Sequence, residues 1–282
     1  MMENIYKSVT YFTLVFVLSF STQTFAQQKD SLVSTEEQLA ESVKLAPCES
    51  KERLEAVKAL FEKVGAKKED VLIEQFDKDK IANVVVRKKG KTDETIIIGA
   101  HYDKTVDGCG AIDNWTGISI IAHLYKTISQ IETEKSYIFV AFDKEEKGLY
   151  GSDAMAKAIP KEKRSQYCAM VNLDSFGLAL PQALQSASDS ELILIAKKLA
   201  KESGFTFDAI TIEGADADSS SFKKRNISAI TFSGLDANWQ KYLHTSDDKL
   251  KNINMKSVHL GYRFVLSFTA TLDKMPCALP KK

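Results

Sequence analysis

Charge of one sign is what this sequence lacks. Its 282 residues carry 38 Lys+Arg and 38 Asp+Glu, a formal net charge of zero. That balance excludes the basic footprint of a nucleic-acid-binding protein and gives no electrostatic pull toward anionic membranes. Proline and glycine are scarce, five and 13 residues, which argues against a low-complexity or fibrous chain. Past the N-terminus no apolar run reaches membrane-spanning length, and no internal repeat is found. Histidine and cysteine number only four each. Against these shortages, 44% hydrophobic residues suffice for a sizeable core. The arithmetic points to one globular domain, or one domain with insertions.

Lys7 precedes a twelve-residue apolar run, residues 9–20, followed by STQT and then Phe25-Ala26. This is the layout of a secretory signal, read over residues 1–26 with cleavage after Ala26. The run falls short of the roughly 20 residues a spanning helix needs; an uncleaved anchor is the alternative. Residues 27–47 are polar and read as a lead-in, leaving 48–282 as a single domain. Export would make the product secreted or periplasmic and its cysteines disulfide candidates, with three pairings open. Cys48 and Cys277 flank the folded region and are the expected pair, leaving Cys109 and Cys168 as partners or free thiols.

Apolar spacing predicts a helix over 49–65 and an antiparallel strand pair over 71–76 and 81–87. The runs TIIIGA (95–100) and SYIFVAF (136–142) read as strands buried on both faces, with further strands over 169–173 and 228–232. Helices are expected over 113–128, 151–159, 191–203 and 255–272. Buried strands alternating with amphipathic helices imply a three-layer α/β/α sandwich with a mixed, mainly parallel central sheet. In such folds chemistry sits outside the carboxyl ends of the strands.

Metal-capable side chains follow four of those strand ends. TIIIGA runs into His101 and Asp103, SYIFVAF into Asp143, Glu145 and Glu146, and the strand over 169–173 into Asp174. A short connection after the strand over 228–232 leads to His244. Asp113 stands in the glycine-rich stretch GCGAIDNWTG, where it could equally cap a helix. Each alone has an ordinary surface explanation, but a parallel sheet brings them to one edge. Two imidazoles with three or four carboxylates suit zinc.

The stretches GAHYD (99–103), GAIDNWTG (110–117), AFDKEEKGLYGS (141–152), NLD (172–174) and HTSDD (244–248) resemble the motifs of the di-zinc exopeptidase family of the bacterial leucyl aminopeptidase type. Order and spacing match over roughly residues 50–275. The resemblance implies a secreted zinc-dependent aminopeptidase acting on peptides, with residues 48–282 as its catalytic domain. It assigns His101 and Asp174 to one zinc, Glu146 and His244 to the other, and Asp113 as the bridge. It makes Glu145 the general base acting on a metal-bridged water, and Asp103 the carboxylate orienting the His101 ring. It also implies a cis peptide between Asp113 and Asn114. Asp218 and Phe222 match a block that helps shape the substrate pocket, with Ser219 where the family has histidine. Trp239 and Tyr242 are candidates for the pocket or for core packing, and His123 and His259 are read as structural. Glutaminyl cyclase on a related fold, or a carboxypeptidase-type member, are the alternatives.

Overall fold

The computed structural model describes residues 32–77 and 80–277. The leader read over 1–26 lies outside them. The main folded unit begins at Glu36.

β1 (Leu72–Phe76) and β2 (Ile81–Lys88) form the expected antiparallel pair. The long apolar runs become β3 (Thr95–His101), β4 (Ser136–Phe142) and β5 (Tyr167–Leu173). Two short strands, β6 (Gln182–Leu184) and β7 (Ala209–Ile210), precede β8 (Ala229–Ser233). The sheet order is β1-β2-β4-β3-β5-β8-β6-β7. Its centre, β4-β3-β5-β8, is parallel, while β2–β4 and β6–β8 pair antiparallel. Side chains alternate between faces, so Ile97 packs with Phe142 and Met170 on one side while Ile96 and Ile98 are buried on the other. Coverage on both faces is why these strands are almost continuously apolar.

Among the described residues seven α-helices flank the sheet: α1 (Glu36–Val43), α2 (Ser50–Lys63), α3 (Thr116–Ser129), α4 (Tyr150–Ala158), α5 (Ser190–Glu202), α6 (Asp218–Lys223) and α7 (Met255–Lys274). On one face α3 lies against β3, β4 and β5, and α1, α2 and α7 pack over it; α4 and α6 cover the other face. The mixed sheet between two helical layers is the architecture the sequence predicts. α1 is an addition, since it falls inside the stretch read as a lead-in. It buries Leu39 and Val43 and accepts the Trp115 indole N–H at Ser42 O, 3.0 Å away. Burial of α3 beneath these helices explains His123, whose Nε2 meets Ser42 Oγ at 2.9 Å. His259 stacks on the Tyr262 ring within α7.

The expected Cys48–Cys277 disulfide is not formed. The bonds are Cys48–Cys109 and Cys168–Cys277. Cys109 lies in the connection leaving the carboxyl end of β3, whereas Cys168 is the second residue of β5. Cys48 and Cys277 are therefore tied to opposite ends of the parallel sheet and cannot meet each other.

Candidate metal centre

The chain leaves β3 toward β4 on one side and enters β5 on the other, so a crevice opens beyond the carboxyl end of β3. His101, the last residue of β3, stands at that crevice and is almost fully buried. Its Nε2 lies 3.1 Å from Asp113 Oδ1, 3.7 Å from Asp174 Oδ1 and 4.0 Å from Glu145 Oε2. The other imidazole, His244, has Nε2 at 3.1 Å from Asp113 Oδ2 and 3.2 Å from Glu146 Oε2. The two oxygens of one buried carboxylate thus face two different histidines. The sequence-predicted residues His101, Asp113, Glu145, Glu146, Asp174 and His244 converge on one site.

Asp103 braces that site in a way the sequence does not disclose. Its carboxylate sits 3.5 Å from His101 Nδ1, at the edge of hydrogen-bonding distance. The same carboxylate accepts the backbone N–H groups of Glu145 at 2.9 Å and Glu146 at 3.2 Å. One side chain therefore faces the ring and fixes the turn carrying the two glutamates. Lys144, Ser175 and His244 adopt left-handed backbone conformations, each costing a non-glycine residue about 1 kcal/mol or more.

The Asp113 segment is held from three sides. The Asp113–Asn114 peptide is cis. Asn114 Oδ1 accepts Gly117 N and Ser175 N, both at 3.1 Å, and its Nδ2 donates to Leu173 O at 2.8 Å. Asp248, buried, accepts Ile112 N at 2.6 Å and Asp113 N at 3.3 Å. Burial first, and then Asp113, pushes the Asp248 carboxyl up to about 6. Beneath the loop lies Arg53 of α2, fully buried, donating to the carbonyls of Tyr102, Pro47, Cys109 and Gly110. Its guanidinium also rests over the Trp115 ring, 5.1 Å from the centroid. Sequence reasoning missed the roles of Arg53, Asn114 and Asp248. An arginine on the inner face of an amphipathic helix was the one available signal.

The electrostatics call for a cation. Burial raises the Glu145 carboxyl well above the usual carboxylate range, with Asp174, Asp218 and Asp113 adding to the rise against the His101 imidazole. Hydrogen bonds to Asp113 and Glu146 drive His244 up to about 10. His101 Nδ1 and Glu146 Oε1 are buried without a hydrogen-bond partner among the described residues. Arg53 faces backbone carbonyls, so it does not pair with the carboxylates. Burying so many carboxylates is costly unless charge balances them. His101, Asp113 and Glu146 present ligand atoms within 4.8 Å of one another. Nitrogen and carboxylate oxygen in this number fit zinc.

The centre opens into a cavity of about 340 Å³. Trp239 lines it and also packs on the cluster of Ile112, Leu235 and Leu243. The other pocket assignments are corrected. Phe222 is core, packed on the Phe142 ring between α6 and the sheet. Tyr242 packs against the cluster of Ile112, Leu235 and Leu243 instead of lining the cavity. Asp218 is fully buried behind the centre, pushed up to about 7 chiefly by that burial. Ser152 is close enough to lower Asp218, yet its hydroxyl is engaged with Leu149 O and Ser221 Oγ. Cavity residues that no sequence signal disclosed include Thr231, Ser233, Ile212 and Glu213.

With this fold and this site, the chain belongs to peptidase family M28, which matches residues 83–269. It is 24% identical over 214 residues to aminopeptidase YwaD of Bacillus subtilis (strain 168), covering 68% of this chain and 47% of YwaD. The chain thus spans about half the length of that relative. Among solved structures it resembles the LapA aminopeptidase of Legionella pneumophila, with a TM-score of 0.72 at 19% identity, over 88% of this chain and 75% of LapA. It also resembles a glutaminyl cyclase of an Acidobacteriales bacterium, with a TM-score of 0.71 at 17% identity, over 85% of this chain and 94% of the cyclase.

Proposed function

We propose that this protein is an exported aminopeptidase with two zinc ions per chain, removing N-terminal residues from peptides. The observation that carries the reading is the buried Asp113 carboxylate, offering one oxygen toward His101 and the other toward His244. On this reading His101, Asp174 and Asp113 would hold one ion, and His244, Glu146 and Asp113 would hold the other. When bound, the zinc pair supplies Lewis acidity for the scissile carbonyl and lowers the pKa of water.

The chain's own residues do the rest. Glu145 takes a proton from the attacking water as its oxygen bonds to the carbonyl carbon, then delivers that proton to the leaving amine as the C–N bond breaks. Asp103 holds the Glu145 backbone while it does so, through the 2.9 Å hydrogen bond to Glu145 N. Amine-end cleavage is favoured over carboxyl-end cleavage by charge. No Lys or Arg lines the cavity among the described residues, so a substrate's free carboxylate has no cation to meet there. Export is supported by the leader-like residues 1–26 and by two disulfides, which persist in oxidising compartments.

A second reading, glutaminyl cyclisation, is favoured by one observation, the likeness that spans 94% of the cyclase chain. A panel of free and N-acetylated peptides, including one with N-terminal glutamine, separates the readings when zinc content is measured alongside. The aminopeptidase reading expects cleavage of free peptides only, with two zinc per chain. Ammonia release from the glutaminyl peptide without cleavage would replace it with the cyclase. Cleavage of N-acetylated peptides at their carboxyl end would replace it with a carboxypeptidase.

A further inference from the structure

Beyond the metal centre, the cavity wall has a composition of its own. Leu184, Ile212, Leu235 and Trp239 give it an apolar side. Ser233 also lines it, is buried, and its Oγ has no hydrogen-bond partner among the described residues. An unpartnered buried hydroxyl is destabilising unless something completes it, so a bound group is the natural partner.

Charge in the cavity narrows what that group is. Two divalent cations would balance Asp113, Glu145, Glu146 and Asp174, and the cavity still presents Glu213 and Asp216. Asp216 is engaged by Lys224 Nζ at 3.5 Å and by Ala217 N at 3.0 Å. Glu213 is exposed on the same segment, so it supplies charge that the wall does not compensate.

We propose that this cavity selects peptides beginning with lysine or arginine, a specificity that rests on the aminopeptidase reading above. The apolar side takes the methylene stem. Ser233 Oγ accepts an N–H from the basic group, and Glu213 provides the countercharge. Long basic side chains suit such a wall because their stems are apolar and only their ends are charged. For arginine, the Trp239 ring adds a face on which guanidinium can stack. N-terminal glutamate or aspartate is rejected by the same carboxylate.

Lysine and norleucine test this, because they share a four-carbon stem and differ by the ammonium. Binding of lysinamide and norleucinamide is measured by titration calorimetry on the full mature protein loaded with zinc. Hydrolysis of the lysyl, arginyl, norleucyl, leucyl and glutamyl 4-nitroanilides is measured in parallel. Lysinamide should bind about threefold to tenfold tighter than norleucinamide, with the gap closing at high salt. Glu213→Gln should lower kcat/KM for lysyl and arginyl substrates by that factor relative to leucyl, narrowing the ratio between them. Glu213→Lys should reverse the preference. Ser233→Ala should weaken lysinamide and spare norleucinamide. A uniform fall across all substrates in Glu213→Gln would overturn the proposal, since Glu213 would then serve the α-ammonium common to all. Equal binding of the two amides would overturn it while norleucyl and leucyl hydrolysis kept the aminopeptidase reading intact. Failure to hydrolyse any anilide would sink both.

Discussion

Glu145 and Glu146 are adjacent and chemically identical, yet they face different partners. Glu146 Oε2 approaches His244, whereas Glu145 Oε2 approaches His101. If Glu145 carries the proton, Glu145→Ala should keep both zinc ions and lose about 10²–10⁴ in kcat. Glu146→Ala should instead lose zinc on dialysis and recover partly with excess metal. Metal content and rate read the two roles independently, and the opposite pattern would exchange the assignments. A second residue-scale prediction concerns His123. Burial, then Lys126 and Lys63, lowers its pKa from 6.5 to about 4. Its folded value lies below its unfolded one, so unfolding binds a proton between those limits. Stability should be complete above pH 6.5 and fall as pH drops toward 4, by up to roughly 3 kcal/mol from this group. Denaturant unfolding across that window, compared with His123→Gln, checks it; identical slopes in the two proteins would refute the assignment.

At the scale of elements, the loop carrying Asp113 is shaped by close approach. A Cβ on Gly117 would collide with Asn114 Oδ1 and lie 2.8 Å from Leu173 O, so α3 starts hard against the end of β5. Gly117→Ala should therefore push Asn114 off Ser175 and Leu173. We expect a stability loss of about 1–3 kcal/mol and weaker zinc retention, read by thermal unfolding and metal analysis. A variant with unchanged melting and full zinc would show that the contact is slack. The same scale marks where the sequence stops being legible. Strands such as TIIIGA and SYIFVAF announce themselves by unbroken apolar runs, and the residues after them follow from strand polarity. β6 and β7 are three and two residues long and exist only through their neighbours, so no local pattern foretells them. Phe222 was misread as a pocket residue because its motif places it near the centre but not on which side of α6 it points. The hydrogen bonds of Asp103, Asn114 and Asp248 depend on loops converging from distant parts of the chain, and spacing along the sequence cannot express that.

Across the whole molecule, two disulfides clamp opposite ends of the sheet. They close loops of 61 and 109 residues, each worth about 4–5 kcal/mol in the chain-entropy account. Their effects should nevertheless differ. Cys48–Cys109 adjoins the Arg53-bound loop that leads into Asp113, so Cys48→Ser with Cys109→Ser should lower both melting temperature and zinc retention. Cys168–Cys277 holds the end of α7 to the start of β5, so Cys168→Ser with Cys277→Ser should lower melting temperature alone. Peptide mapping without reduction should recover the two linked pairs; a Cys48–Cys277 peptide would contradict the fold.

The segment Ile212 to Asp216 contributes to the cavity wall and supplies none of the residues proposed to hold metal or carry the proton. It runs between β7 and α6, two elements fixed to the sheet at their own positions. On the aminopeptidase reading, one part of the recognition surface thus lies on a stretch of chain separate from the proposed ligands and base. If the aminopeptidase reading holds, a graft confined to these five residues should retune which peptides are trimmed and leave the proposed ligands and base in place, making this wall the natural place to engineer new selectivity.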